Sequence, residues 1–502
     1  MKKGFLSYFP LAMLMAYGAV VSGCNSSETW GTDPQDLSGT AVTAFSLKSD
    51  QKVLNNLDSV FFSIDLVAGK IFNASPLPYG TNVDAIAVSI SSDACSVAQL
   101  LISGNEAEEK EASVVDYLTS PDEKIDFSNG PVTLHLVSAD GQHERDYEIR
   151  VNVASEVADS LYWDKLQAGT LRGVAGMSRS KTVKYGDKAL TLSTAADGSV
   201  GIASFIPNAT SGGGNWEADV LTPSFIDANT ASVGNLLNVD SFTATEDGIL
   251  FIADSYGNLH RSTDGGQTFG IVDNGWENIT APYRNAILGV KENAGSRTLA
   301  AYPPSAWSLS GEALPSGFPV NATSEAAVFS TKWATLPQIV IAGGKTANGT
   351  PTGSAWAFDG KQWAKISDRL PAASGYSMAK YTVAETDTIS WRVRQREVLI
   401  AFGGMGLKPV SDVWISRDMG VNWQKGSETL QLPEYIPFTT GASLLVFEKT
   451  LDADAAAPLA ITPITSWECP YLYLFGGYDV AGKLHSTYWS GVVNHLRMKP
   501  LQ

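Results

Sequence analysis

From about Thr40 to Val153, apolar and polar residues alternate along the chain. The runs Val60 to Leu66, Ala85 to Ile90, Val132 to Val137 and Tyr147 to Val153 each read as a short strand. Period-two alternation buries one face and wets the other, which predicts antiparallel sheets with one core-facing side. Between the last two runs lies Ser138-Ala139-Asp140-Gly141-Gln142, with the turn chemistry of a hairpin. Beyond Trp163 the pattern changes to unbroken apolar runs, such as Ile339 to Ala342, Leu399 to Phe402 and Leu472 to Phe475. Strands of that kind are buried on both faces.

Each unbroken run ends in a diglycine, at Gly343-Gly344, Gly403-Gly404 and Gly476-Gly477. Each diglycine is followed by an aromatic strand, at Trp356, Trp414 and Tyr488-Trp489. Glycine lets a strand end against neighbouring backbone that a Cβ would strike. A second recurrence overlaps the first. Trp307 is followed by Leu314-Pro315 and Trp363 by Leu370-Pro371 at the same spacing, while Trp423 has Leu430 in register and Pro433 displaced. Self-similarity of this kind predicts one structural unit used repeatedly. Taken as outer-strand markers, Trp163, Trp216, Phe269, Trp307, Trp363 and Trp423 are separated by 53, 53, 38, 56 and 60 residues and predict six units. The last unit, from about residue 434, has no such marker of its own. Trp163-Asp164-Lys165-Leu166 reads like Trp363-Ala364-Lys365-Ile366, so the Trp163 strand is expected to complete the last unit, beside Thr487 to Val493. A sheet shared by both ends of the repeat leaves no open edge.

An apolar strand, a diglycine, a loop and an aromatic strand resemble a kelch propeller blade. Ser262-Thr263-Asp264-Gly265-Gly266-Gln267-Thr268-Phe269 resembles the Asp-box of sialidase-type propellers. Ser416 to Trp423 matches it too, with Asn422 in place of threonine. Aspartate suits such a turn because it accepts several backbone amides, and glycine because it takes positive φ. The resemblance implies that Asp264 and Asp418 are structural turn residues remote from any active face. The earlier strands are similar to an immunoglobulin-like sandwich. The whole chain, including Pro78-Tyr79-Gly80-Thr81, resembles an uncharacterised lipoprotein family of gut Bacteroides-type bacteria, a domain of unknown function. That resemblance implies an architecture and no mechanism. The expected fold is all-β: an immunoglobulin-like sandwich over 39–156, then a six-bladed kelch/Asp-box-like β-propeller over 157–502, closed by an N-terminal strand in the last blade.

The first residues read as an address. Lys2 and Lys3 precede an apolar run from Phe5 to Val21, which ends Val21-Ser22-Gly23-Cys24. The run is too short and wrongly flanked for a membrane span. Small residues before a cysteine resemble a bacterial lipobox, which implies a signal peptide over 1–23 and lipidation of Cys24. Residues 24–38 are polar and read as a flexible tether. The expected location is the bacterial outer membrane, held by the lipid alone. Glu28 is the one acidic residue near the cysteine, so an outward-sorting signal is faint and the surface side is only slightly favoured over the periplasmic one.

Composition narrows the function. Fifty-two acidic and 35 basic residues give a net charge of −17, and cleavage of the first two lysines takes it to −19. A nucleic-acid binder needs a basic face, so that class is excluded. Cys95 and Cys469, far apart in sequence, read as buried small hydrophobes rather than a disulfide or metal site. The acidic stretch Glu106 to Lys110 reads as a solvated loop, and His135 and His143 as structural residues. The five histidines never fall at metal-ligand spacing, and no cofactor motif occurs. Arg392, Arg394 and Arg396 alternate on one strand, but a sialidase would also need an Arg-Ile-Pro that the chain lacks. The sequence therefore predicts a monomeric, non-catalytic propeller that binds a glycan or protein. The alternative is a carbohydrate-active enzyme, either a sialidase-like glycosidase or a kelch-type sugar mutarotase or epimerase. Binding is expected at the loops after the diglycines, on the face opposite the Asp-box turns. These loops carry Lys345, Lys408, Tyr478 and Lys483, with Tyr256 in the equivalent loop of an earlier unit. Their lysines are expected to favour an anionic ligand.

Overall fold

A computed structural model of the chain describes residues 39–105, 110–153, 160–209, 211–226, 233–304, 310–330, 332, 334–387, 392–452 and 466–493. The lipobox with Cys24, most of the Glu106 to Lys110 stretch, and Trp307 lie outside the described residues. Two compact units are built almost wholly of strands, one from residues 39–73 with Asn82–Val151, the other from Ala74–Thr81 with the chain from Asn152 onward.

In the first unit, strands Val42–Leu47, Ile86–Ser92 and Lys124–Ile125 form one sheet. Ser63–Asp65, Lys70–Phe72, Glu144–Arg150, Val132–Ser138, Cys95–Ile102 and Ser113–Asp116 form the other, in that order. Alternation does what it predicts: Val132, Leu134 and Leu136 are buried while Thr133 and His135 are not. Tyr147 is fully buried, and its hydroxyl donates to the Thr40 carbonyl at 2.9 Å. His135 meets Asp146 across the Val132–Ser138/Glu144–Arg150 hairpin at 2.7 Å.

Four readings of this unit need correction. The Val60 to Leu66 run yields only Ser63–Asp65 as strand, because Phe62 is buried edge-on against Phe45 without backbone pairing and Phe61 faces out. The Tyr147 to Val153 run ends at Arg150 and starts earlier, at Glu144. The sheets are not wholly antiparallel, since Lys70–Phe72 runs parallel to Glu148–Arg150. Alternation sets which face is buried and says nothing of strand direction. Cys95 is half-buried at a strand end, near the Ser92 hydroxyl, rather than in the core. Cys469 lies in a strand, and its side chain lies outside the described residues.

The second unit holds six sheets of three to five strands among its described residues, besides one two-stranded ladder. Their first strands are Met177–Tyr185, Leu237–Ala244, Trp276–Tyr283, Ala327–Phe329, Ser377–Asp387 and Ser443–Asp452. These strands adjoin one another in sequence order except the third and fourth, and Ser443–Asp452 returns to Met177–Tyr185. The short strand Pro319–Asn321 fills the step between the third and fourth sheets. Second strands are the unbroken apolar runs. Val398 to Phe402 and Ile339 to Ala342 are at most 1% exposed, because a neighbouring sheet covers each face. The diglycines end these strands against the next sheet. A Cβ on Gly403, whose φ is +77°, would stand 2.3 Å from the Thr439 carbonyl oxygen.

Strand Leu161–Thr170 is the fourth strand of the last sheet, as expected. It pairs antiparallel with Thr487–Val493, Leu161 opposite Val493 and Trp163 opposite Gly491. Trp163 is buried with Leu161, Leu472, Val413 and Leu430, and its carbonyl accepts the Tyr435 hydroxyl at 2.7 Å. Of the other markers, Trp216, Phe269, Trp363 and Trp423 lie in or at the start of fourth strands.

The turns at 262–269 and 416–423 join third and fourth strands and share one bonding scheme. The Ser262 hydroxyl donates to Asp264 and accepts from the Gly266 amide, while Asp264 accepts the Thr268 amide at 3.0 Å and hydroxyl at 2.6 Å. Ser416, Asp418, Gly420 and Asn422 repeat it, with the Asn422 side-chain amide replacing the threonine hydroxyl at 2.6 Å. Burial opposes charge on Asp264, but the Thr268 and Ser262 bonds more than offset it, and its carboxyl is lowered to about 2.

Candidate functional site

Where the first strands converge, they enclose a cavity of about 270 Å³. Backbone bonds knit its rim: the Gly375 amide donates to the Ala322 carbonyl at 2.8 Å and the Gly441 amide to the Gly375 carbonyl at 2.7 Å. Into the cavity project Lys181, Asp240, Thr280 and Glu325, none of which the sequence analysis singled out. Lys181, Asp240 and Thr280 are charged or hydroxyl residues within strands, and Glu325 stands just before one.

Lys181 and Glu325 form an ion pair that is largely sheltered from water. Burial opposes the Lys181 charge, but the Glu325 carboxylate more than compensates, and the ammonium is held above its ordinary pKa. Asp240 adds to that field and lies 3.7 Å from the Arg179 guanidinium. Thr280 is only 7% exposed, and its hydroxyl has no hydrogen-bond partner among the described residues.

Of the five expected binding residues, two reach this cavity. Lys345 starts the strand Lys345–Thr346 and stands at the rim, exposed. Tyr478 is half-buried rather than a free loop residue. Its hydroxyl accepts the Ser180 amide at 3.4 Å, and burial, with Asp240 nearby, pushes its phenol up. Tyr256 lines a separate, more open cavity of about 520 Å³ beside Arg179, Asn238 and Glu277, and is 74% exposed. Lys408 and Lys483 are exposed and line neither cavity. The expected concentration of positive charge is therefore absent here: Lys181 is matched by Glu325, and Asp240 offsets Lys345 in the same cavity. Among the described residues, no group of three or more histidine, cysteine, aspartate or glutamate side chains is placed to hold a metal ion. Arg396 is exposed on its strand, away from both cavities.

Sheets packed in a ring around a polar centre define a β-propeller, and a family model described as the DUF6242 beta propeller domain matches residues 157–501. The chain belongs to this family, since the DUF6242 N-terminal domain, a domain of unknown function, matches residues 39–151 as well. No curated protein matches the chain. Among solved structures it is similar to the BP39L lectin from Burkholderia pseudomallei, at 14% identity and a TM-score of 0.33, over 73% of this chain and 92% of that one. It is similar to the SapL1 lectin in complex with alpha methyl fucoside, at 14% identity and a TM-score of 0.30, over 60% and 89%. It is also similar to the alpha-L-arabinofuranosidase Arb93A from Fusarium graminearum, at 11% identity and a TM-score of 0.27, over 68% and 99%. Likenesses this distant carry no argument about function, and lectins and a glycosidase stand side by side among them.

Proposed function

We propose that this chain is a lipid-anchored bacterial outer-membrane protein whose propeller binds a glycan or protein without turning it over. The reading takes the propeller as six-bladed, the first unit as an immunoglobulin-like spacer, and Cys24 as the anchor. The six sheets and the pairing of Leu161–Thr170 with Thr487–Val493 support the blade count. The observation that carries the binding function is the polar cavity at the convergence of the first strands. It holds Tyr478 and Lys345, and it keeps a buried Thr280 hydroxyl without a partner. A buried hydroxyl with no partner costs about 1–3 kcal/mol and calls for a reason in the structure; a ligand that hydrogen-bonds it would supply one.

An enzymatic reading has one observation in its favour: Glu325 and Asp240 face the same cavity and could serve as acid and base. Both carboxylates are engaged with cations, Glu325 with Lys181 and Asp240 with Arg179, which suits binding better than proton transfer. The test is a glycan and protein binding screen with the soluble chain from residue 39, repeated with Lys345→Ala and Tyr478→Phe. Binding weakened by either substitution, with every bound glycan recovered intact, supports the reading. Turnover of any bound glycan overturns the non-catalytic part, and binding indifferent to both substitutions removes the site from this cavity.

A further inference from the structure

The two cavities are neighbours. The Asn238 side-chain amide, lining the outer one, donates to the Asn278 side-chain oxygen, lining the inner one, at 3.3 Å. Arg179 of the outer cavity meets Asp240 of the inner one. Two polar contacts therefore stand where one cavity passes into the next.

Their chemistry differs in a useful way. The inner cavity carries Lys181, Lys345, Asp240 and Glu325, so its formal charge is zero. Its unmet demand is for hydrogen bonds, at the Thr280 hydroxyl. Its volume of about 270 Å³ falls just below the usual range of about 300–1,000 Å³ for sites that take drug-sized ligands. One sugar ring fits such a space, and a sugar's hydroxyls can both donate to and accept from Thr280. The outer cavity carries Arg179, Asp254, Glu277 and Glu292, and Arg297 pairs with Glu277 at 2.6 Å and with Glu292 at 3.6 Å, so its charges too are nearly balanced and it favours neither an anion nor a cation. Its rim presents Tyr256, a residue 74% exposed. An exposed tyrosine ring offers an apolar face with a polar tip, and the C–H face of a pyranose stacks on such a ring while its hydroxyls stay solvated. Neither a basic peptide nor an acidic chain finds unmatched charge in the inner cavity, where Lys181 is paired with Glu325.

We infer that the ligand is an uncharged glycan of at least two sugar units, one held in the inner cavity at Thr280 and the next stacked on Tyr256. This rests on the binding function proposed above and replaces the anionic ligand expected from the sequence. The isolated rings bind weakly, and linking them makes the second contact intramolecular.

The experiment is calorimetric titration of the soluble chain with panels of neutral glycans as monosaccharides and as their oligomers. A polyuronate and an oligolysine peptide are the charged controls, each at low and high salt. The expected result is a neutral oligosaccharide that binds at least about tenfold tighter than its monosaccharide, with little salt dependence. Tyr256→Ala abolishes that gain and leaves monosaccharide affinity unchanged. Thr280→Val weakens both; because it removes an unpartnered buried hydroxyl, it leaves the melting temperature unchanged or raised, which excludes misfolding as the cause. Salt-sensitive binding of the polyuronate or oligolysine that Lys345→Ala or Tyr478→Phe weakens overturns the inference and leaves the binding function standing. Equal affinity for monomer and oligomer overturns the two-site arrangement alone. Binding of no probe, or binding indifferent to Thr280→Val, Lys345→Ala and Tyr478→Phe, overturns the inference together with the function it rests on.

Discussion

Closure of the second unit rests on Trp163, and its contribution can be isolated by a pair of substitutions. The ring is 3% exposed and lies over Gly491 of the strand it pairs with. A buried tryptophan removes about 150–250 Å² from water, worth roughly 4–6 kcal/mol at about 25 cal/mol per Å². Compactness of the unfolded chain lowers that figure, so Trp163→Ala is expected to cost about 3–5 kcal/mol. A Cβ on Gly491 would stand 2.8 and 2.9 Å from two Trp163 ring carbons and 3.2 Å from the Tyr162 carbonyl oxygen. Gly491→Ala should therefore cost about 1–3 kcal/mol through overpacking. With the ring removed, only the Tyr162 contact remains, and the same substitution should cost less than about 1 kcal/mol. The two costs then fail to add by about 1–2 kcal/mol. Urea unfolding of the soluble chain from residue 39 measures this. Residues 39–151 contain no tryptophan, so intrinsic tryptophan fluorescence reads the second unit alone. Costs that add to within about 0.5 kcal/mol would mean that the ring does not sit over Gly491, and the closing strand would have to lie elsewhere.

Three further outcomes are expected. The Asp264 carboxyl is lowered to about 2 in the folded chain. Its contribution is thus complete above the unfolded value of 3.8 and lost as pH falls through the folded one. Asp264→Asn should flatten the melting temperature against pH over that window, and an unchanged slope would refute the assignment. Asp418→Ala removes acceptors from the Ser416 hydroxyl and from the Asn422 amide and side chain. It should lower stability by about 1–3 kcal/mol without altering ligand affinity as read by titration. Cys24→Ser should release the protein from the membrane fraction of the producing cell, and a variant that still partitions fully into detergent would exclude lipidation at that position.

Local patterns sufficed wherever the physics was local. Alternation at Val132 to Val137 and unbroken apolar runs at Ile339 and Leu399 set which faces are buried, since the side-chain period of a strand is fixed. The Ser-x-Asp-x-Gly turns were legible because every bond in them spans at most four residues. The pairing of Trp163 with the far end of the chain could be read because the repeat supplied a template for the missing strand. Direction of pairing could not: the parallel neighbour of Lys70–Phe72 is 78 residues away at Glu148–Arg150, and either direction satisfies the same alternation. The site was half legible. Diglycines located the loops of Lys345 and Tyr478, because positive φ is written in the residue type. Lys181, Asp240, Thr280 and Glu325 come from four different first strands or the segments leading into them, and no sequence spacing relates them. Charge matching between Lys181 and Glu325, and the unpartnered state of Thr280, exist only once the ring brings those strands around one centre. Burial and through-space charge are properties of the assembled sheets, so tertiary structure alone decided what the cavity can hold.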